Sequence, residues 1–357
     1  MFFDTIYIRD FRNIHELRFQ PSKGLNVIEG QNGQGKTSLL EAMHLSVTLR
    51  SFRGHPTRDL IRIGADRGMI STRFERDGVR RDTELQLAGS RRSIKINGDR
   101  VRNLDDYFGM MRLVTFTPDD VNVFKGGPAE RRLFFDRMIF NLVPEYGAET
   151  MRFEQALKQR NAALRQEPID LRVLEVYEQV LADYGAKVIQ RRNDFMKLFA
   201  EPLQRAFHEV FGHAYDIELV YESKFDGRDD LHQALVQQRH VDLQRGHTTV
   251  GPHRDDFSAT LQGVAFKNFA SQGQHRALVL ACKITEMRKN YEQLESWPVL
   301  LMDDVSSELD PKRNAQLFQF LETLNSQVFL TTTNQDVLQL PPNKKTWTMH
   351  QGELHPA

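Results

Sequence analysis

At 357 residues the chain exceeds one typical domain, so about two structural units are expected. With 40% hydrophobic and 27% charged residues it reads as an ordinary globular protein, and Lys+Arg and Asp+Glu balance at 48 each, so overall charge names no partner. A single cysteine, Cys282, excludes an intrachain disulfide or a cysteine-cluster zinc site, and no apolar run approaches the roughly 18 residues of a membrane span. The expected setting is a reducing cytoplasm, with no membrane partner.

The N-terminal MFFDTIYIRDFRN meets charge too early for a signal peptide. Next, GLNVI (Gly24 to Ile28) reads as a buried strand and SLLEAMHL as the start of an amphipathic helix. Between them Gly30, Gln31, Asn32, Gly33, Gln34, Gly35, Lys36 and Thr37 satisfy every fixed position of the phosphate-binding loop. Glycines there let backbone N–H groups converge on a β-phosphate, and the following helix adds the positive end of its dipole. Lys36 would bridge β- and γ-phosphates, and the Thr37 hydroxyl would take one position on Mg²⁺.

From Arg50 to Arg102 there are 14 Lys/Arg against 7 Asp/Glu, nearly all arginine. A solvated β-rich face would account for this. The arginine bias favours a phosphate-facing surface, because the planar fork takes phosphate oxygens two at a time. Arg53, Arg58, Arg91, Arg92 and Lys95 are the candidate DNA contacts here, with Arg191 and Arg192 further along. Any one of them could equally be an ordinary surface charge.

GGPAERRLFFD (Gly126 to Asp136) starts with Gly and Pro at a plausible helix start. Two long stretches nearly free of Gly and Pro follow, Ala148 to Glu167 and Leu171 to Glu201. Leu171, Leu174, Tyr177, Leu181, Tyr184 and Val188 recur at three and four, a helical stripe. It covers too few heptads for a long coiled coil, so an antiparallel helical hairpin is expected.

Ser271, Gln272, Gly273 and Gln274 open a helix that should run to about Asn290. Taken alone this is an N-cap; its hydroxyl and free N–H groups could also meet an anion. WPVLLMDD (Trp297 to Asp304) then reads as a strand ending on two carboxylates. With the phosphate loop in hand, Asp303 is the expected Mg²⁺ carboxylate and Asp304 the group that polarises water or accepts its proton. Lys36 and Asp303 stand 267 residues apart. Small GTPases keep the two elements close and carry an Asn-Lys-x-Asp signature absent here, so the spacing suggests an ATPase core split by a large insertion.

The chain resembles the RecF family of bacterial recombination mediators, whose heads are similar to those of SMC-type ATPases. The resemblance runs from RDFRNI at Arg9 to TTTNQ at Thr331. It rests on GQNGQGKTS, FTPDDVNVFKGGPAERRLFFD, TTVGPHRDDF, SQGQHR and LLMDDVSSELD. It implies an α/β fold, an ABC/SMC-like P-loop ATPase head with a mixed β-sheet core and an inserted helical lobe. The expected division is 1–125 for the first half of the head, 126–245 for the lobe and 246–357 for the second half. The resemblance further implies ATP and Mg²⁺ as cofactors and an ATP-dependent homodimer with Ser271 to Gln274 of one copy against the phosphate loop of the other. Ser307, Glu308, Leu309 and Asp310 would form a loop crossing that interface. Arg12 and Asn13 would approach the nucleotide.

Single- and double-stranded DNA, RecR and RecO are the partners implied, with recombinase loading at gaps or junctions, roles in replication, repair and the SOS response, and weak DNA-stimulated ATP hydrolysis. Two positions depart from the broader cassette pattern: Asp119 or Asp120 stands where transporters carry a magnesium-contacting Gln, and Thr331 to Thr333 take the place of the switch histidine. Slow turnover is the expectation. The competing readings are a transporter's nucleotide-binding subunit and a static ATP clip without turnover. His253 and Arg254 receive no role from the sequence.

Overall fold

The structure, a computed structural model, describes residues 1–304, 315, 317, 319–321, 323–333 and 344–357. Ser307, Glu308, Leu309 and Asp310 lie outside the described residues.

In chain order the strands and helices are β1 (Phe2–Phe11), β2 (Ile14–Phe19), β3 (Leu25–Glu29), α1 (Lys36–Thr48), β4 (Arg67–Arg76), β5 (Val79–Ala88), β6 (Arg91–Ile96), β7 (Asp99–Arg100) and β8 (Leu113–Phe116). Helices α2 (Pro128–Leu142), α3 (Pro144–Ala163) and α4 (Leu171–Phe211) follow, then β9 (Ile217–Glu222), α5 (Arg228–Gln237) and α6 (Arg239–Arg245). The remainder is β10 (Asp256–Leu261), β11 (Val264–Ala265), α7 (Phe266–Phe269), α8 (Gln272–Leu294), β12 (Val299–Asp303), β13 (Val328–Thr332), β14 (Lys345–His350) and β15 (Glu353–Pro356).

The chain divides into two compact units, Met1–Asn122 with Glu209–Phe211 and Ser271–Ala357, and Val123–His208 with Gly212–Ala270. In the first unit a six-stranded sheet has the order β15-β14-β3-β13-β12-β8. Its members from β14 to β8 are parallel and β15 is antiparallel, so the sheet is mixed. The phosphate-loop strand β3 and the acid-pair strand β12 are separated by one strand, β13, which bonds to both. Parallel strands need long crossovers, and here the crossover from β8 to its neighbour β12 contains the whole of the second unit. That is the physical reason the two motifs stand so far apart in sequence. A second, antiparallel sheet runs β2-β1-β4-β5-β6-β7.

Helix α1 packs against strands of both sheets, and every residue from Leu39 to Thr48 is buried. The amphipathic helix expected there is thus enclosed on all sides. Its polar residues are matched inside: His44 Nδ1 lies 2.8 Å from Thr115 Oγ1, and Thr48 donates to the carbonyl of His44 at 2.9 Å.

In the second unit α3 and α4 run antiparallel, as the pairs Glu149–Arg191 and Arg160–Glu178 show. Helix α4 extends past the expected Glu201 to Phe211 despite Pro202 in its interior. A three-stranded sheet, β11-β10-β9, completes the unit. The segment 246–270, expected with the second half of the head, therefore clusters with the lobe instead, because β10 pairs along its whole length with β9. Two motif blocks without an assigned role meet here. Arg131 forks onto Asp256 at 2.9 and 2.7 Å, Arg132 donates to the Asp255 carbonyl at 2.6 Å, and Phe135 stacks on Phe257. GGPAERRLFFD and GPHRDDF meet in one polar joint in which Arg131, Phe135, Asp255 and Phe257 are buried while Pro128 to Glu130 and Arg254 stay exposed. His253, whose Nε2 lies 3.2 Å from the Thr248 carbonyl, belongs to it, and burial lowers its pKa to about 4.

Candidate functional site

A two-residue turn between β1 and β2 puts Arg12 and Asn13 at its tip. Arg12 takes φ +53 there, a value that favours glycine. Its guanidinium forks onto the buried Glu41 of α1, at 2.9 and 3.1 Å, and also donates to the Asp59 carbonyl. Ser51 bonds the same carboxylate. Asn13 donates to the Gly33 carbonyl at 3.0 Å and accepts from Ser38 at 2.7 Å. The turn is fastened to the middle of the loop that follows β3 and to the start of α1.

That loop is held from behind. Gly352 N donates to the Gln34 carbonyl at 2.8 Å, Gln351 N to the Gln34 side chain at 2.6 Å, and Gly30 N to the Thr332 carbonyl at 3.2 Å. A Cβ on Gly30 would stand 2.5 Å from the Met349 carbonyl oxygen, and Gly35 has φ +116. These two glycines are steric necessities. No side chain caps α1, whose N-cap is Gly35, so its first N–H groups point to whatever occupies the loop. Lys36 is buried and donates to the carbonyls of Gly30 and Gln31, the latter at 3.0 Å. Burial lowers its pKa, opposed by the charges of Asp304 and Asp303.

Opposite the loop, Thr37 donates to Asp303 Oδ1 at 2.9 Å. Thr331 donates to the same oxygen at 2.9 Å and accepts from Asp304 N at 3.0 Å. Burial raises the pKa of the Asp303 carboxyl, and the bonds from Thr37 and Thr331 pull it back. Asp304 sits in the left-handed region at φ +49, just past the end of β12. A buried carboxylate beside a hydroxyl is a hard-oxygen donor pair of the kind Mg²⁺ takes together with phosphate and water. The residues fit that ion: Thr37 and Asp303 would hold it, and it would neutralise charge on bound phosphates.

These groups line one cleft of about 750 Å³, a volume suited to a small-molecule ligand. Arg12, Asn13, Asn32, Lys36, Thr37, Asp303 and Asp304 line it. Arg53, a candidate DNA contact, also lines this cleft. The sequence reading missed Ile61, Arg62 and Ile63 on the cleft wall, Glu41 behind Arg12, and the anchoring role of Thr331. A strand-end threonine or a helix glutamate carries no motif signal; only the fold brings them in.

Ser271 is the N-cap of α8 and forms a reciprocal capping box with Gln274, at 3.2 and 2.7 Å. Among the described residues, Ser271 to Gln274 do not line the phosphate-loop cleft of their own chain. Asp120 is buried and accepts from Thr117 N at 2.9 Å, leaving Asp119 as the exposed carboxylate of that pair. Thr331 faces Asp303 and is fully buried, whereas Thr333 is exposed.

The remaining candidate DNA contacts divide. Arg91 is exposed at the start of β6. Arg58 pairs with Asp59 at 3.3 Å, Lys95 with Glu84 at 2.9 Å and Arg191 with Glu149 at 3.2 Å, while Arg92 donates to Thr57. Arg192 is a correction. It is 3% exposed, pairs with Asp136 at 3.0 Å and donates to the Pro252 carbonyl, so it cannot reach a phosphate backbone. Among the described residues no helix is long and apolar enough to cross a membrane.

Comparison with known proteins accords with this geometry. The family model described as RecF/RecN/SMC N terminal domain matches residues 2–354. The DNA replication and repair protein RecF of Myxococcus xanthus is 40% identical over 344 residues, spanning 92% of this chain and 90% of that protein. Its counterpart in Geotalea uraniireducens is 35% identical over 361 residues, spanning 98% and 99%. A solved structure of the recombination mediator protein RecF with ATPrS, in the RecFOR pathway, superposes with a TM-score of 0.84 at 28% identity, covering 99% of this chain and 98% of that one. An SMC head bound to the C-winged helix domain of ScpA matches with a TM-score of 0.56 at 16% identity over 100% and 97%, a likeness of fold alone.

Proposed function

Since this chain belongs to the RecF/RecN/SMC N-terminal domain family, and within it to the RecF proteins, we propose that it is an ATP-dependent DNA-binding protein of replication and recombinational repair. ATP and Mg²⁺ occupy the phosphate-loop cleft. The γ-phosphate then recruits Ser271 to Gln274 of a second copy, and the closed homodimer clamps single- and double-stranded DNA at gaps or junctions. Slow hydrolysis, with Asp304 directing water, resets the clamp. Cooperation with RecR and RecO, recombinase loading, a part in the SOS response and a cytoplasmic setting belong to the same reading.

The observation that carries it is the incompleteness of the site. Among the described residues, one chain supplies loop, lysine, hydroxyl and carboxylates to the cleft, and its own Ser271 to Gln274 do not reach it. A Ser-capped helix of 23 residues stands unused by its own cleft. An anion at such a helix start is favoured by both free N–H groups and the dipole. The buried Thr331, in place of a basic sensor, supports slow turnover.

Sedimentation of the purified protein with ATP, with ADP and without nucleotide tests this. Dimer is expected with ATP only, and Lys36→Met should remain monomeric under all three conditions. A Lys36→Met protein that still pairs in ATP would overturn the reading.

A further inference from the structure

Next to the nucleotide cleft lies a second open groove, of about 770 Å³. Arg9, Asp10 and His15 reach it from the β1–β2 hairpin, and Arg62 and Arg67 from the opposite side. One side chain, Arg62, lines both this groove and the nucleotide cleft.

Asp10 is the hub of the groove. His15 Nδ1 lies 2.9 Å from its carboxylate, Arg9 Nε 3.7 Å and Arg62 Nη1 3.9 Å. The backbone repeats the link, since Arg62 N donates to the Asp10 carbonyl at 3.0 Å. Asp10 itself is left-handed at φ +48, and Gly68 has no room for a Cβ, which would stand 2.7 Å from that carbonyl oxygen. The base of the groove is therefore tightly joined. The Arg62 side chain is not: it is 43% exposed, and its 3.9 Å approach to Asp10 is ionic without a hydrogen bond. Exposed pairs of this kind hold weakly.

We propose that this groove carries the sugar–phosphate backbone of DNA and that a phosphate there draws Arg62 away from Asp10, shifting the wall of the nucleotide cleft. The inference rests on the DNA-binding reading above and deepens it. Three arginines converge on one open channel, and the guanidinium fork suits phosphate oxygens. One of the two carboxylates present, Asp10, is already shared among three basic groups. The basic line continues across the sheet, since Ala88 of β5 pairs with Arg67 on one side and Arg91 on the other. An open channel admits a polymer passing through. Occupancy of one cleft is thus felt in the other through a single side chain.

The test uses the full chain, ATP hydrolysis with and without duplex DNA, and anisotropy of labelled duplex at several salt concentrations. The double variant Arg9→Gln/Arg67→Gln should keep basal hydrolysis and ATP-dependent pairing, lose at least fivefold of the DNA stimulation, and lower the salt slope of log affinity by roughly two, about 0.9 per phosphate contact. Asp10→Asn, a residue type that tolerates the left-handed backbone, should raise hydrolysis without DNA toward the stimulated rate. A double variant with wild-type slope and stimulation would overturn the groove assignment and leave the DNA-clamp reading standing. A wild-type protein that neither pairs in ATP nor binds duplex would overturn both. Displacement by polyglutamate but not by duplex would assign the groove to an acidic protein partner, against the proposal.

Discussion

Thr331→Val removes one hydroxyl and keeps the shape. Thr331 is fully buried, so water cannot replace what is lost. Its hydroxyl donates to Asp303 at 2.9 Å and accepts from Asp304 N at 3.0 Å. A bond to a charged acceptor contributes about 1.5–3 kcal/mol and a neutral one about 0.5–1.5. Asp304 N retains the Thr331 carbonyl at 3.2 Å, so no donor is orphaned and the second loss falls at the low end. The expected destabilisation is about 2–4 kcal/mol, a fall in Tm of roughly 4–15 °C for a unit of this size. A second consequence follows from charge. Burial holds the Asp303 pKa above its ordinary value, so the ionised form costs the fold stability at neutral pH, and that cost disappears as pH falls through the raised pKa. The Thr331 hydroxyl counteracts burial; without it the pKa moves higher. In the proposed dimer, where the ionised carboxylate would hold Mg²⁺, ATP-dependent pairing should therefore fail at a higher pH in Thr331→Val than in the wild type. Thermal melts and sedimentation across pH 5–8 read both effects. A Tm within 2 °C of wild type together with a superimposable pH profile would refute the idea that Thr331 holds the acid pair.

Asp304→Asn should lengthen the lifetime of the ATP dimer at least tenfold, read by dilution in a sedimentation or light-scattering assay; an unchanged lifetime would favour a static ATP clip. Arg160→Met should cost about 3–5 kcal/mol in denaturant titrations, because Asp242 and Glu178, bonded to Arg160 at 2.6 and 3.0 Å with no exposure, lose a buried cation. Nucleotide affinity should survive that change, as the cleft is lined from the other unit. Protonating His253 opposes its burial, so stability should decline by about 3 kcal/mol as pH falls from about 6.5 to about 4, and His253→Leu should flatten that slope.

What the sequence disclosed and what it hid differ by the range of the interaction. The phosphate loop and the acid pair were legible because each is a local requirement, satisfied within eight residues or at one strand end. Thr331 was visible only as a missing histidine. Its bond to Asp303 depends on β13 lying between β3 and β12, and no local pattern encodes strand order. Arg192 misled for a related reason: in one dimension a buried guanidinium and a surface one look alike. Asp136, which pairs with it, stands 56 positions away. The segment after residue 245 was assigned to the head, yet its strand partner is β9, upstream in the lobe. Helix α1 read as amphipathic because SLLEAMHL sets Glu41 and His44 among apolar residues, although both are bonded within the interior.

Which cleft residues are already in place also bears on how ATP could act as a switch. Arg12 is fixed by a two-toothed ion pair and Asn13 by two hydrogen bonds, so neither gains much order when a nucleotide enters. Lys36 differs. Its ammonium rests on the carbonyls of its own loop and must exchange them for phosphate oxygens. In the proposed reading that exchange gains more from a triphosphate, whose γ-phosphate adds oxygens within reach of Lys36, than from a diphosphate. Shifting a population from 1:99 to 99:1 requires about 5.5 kcal/mol of differential binding. Two γ-phosphates in a symmetric pair need supply only about half each, within reach of one or two charge-assisted bonds to a helix start. In the proposed homodimer, two such sites would turn a modest preference for ATP over ADP at each cleft into a near-complete change of state, without requiring either cleft to bind nucleotide tightly.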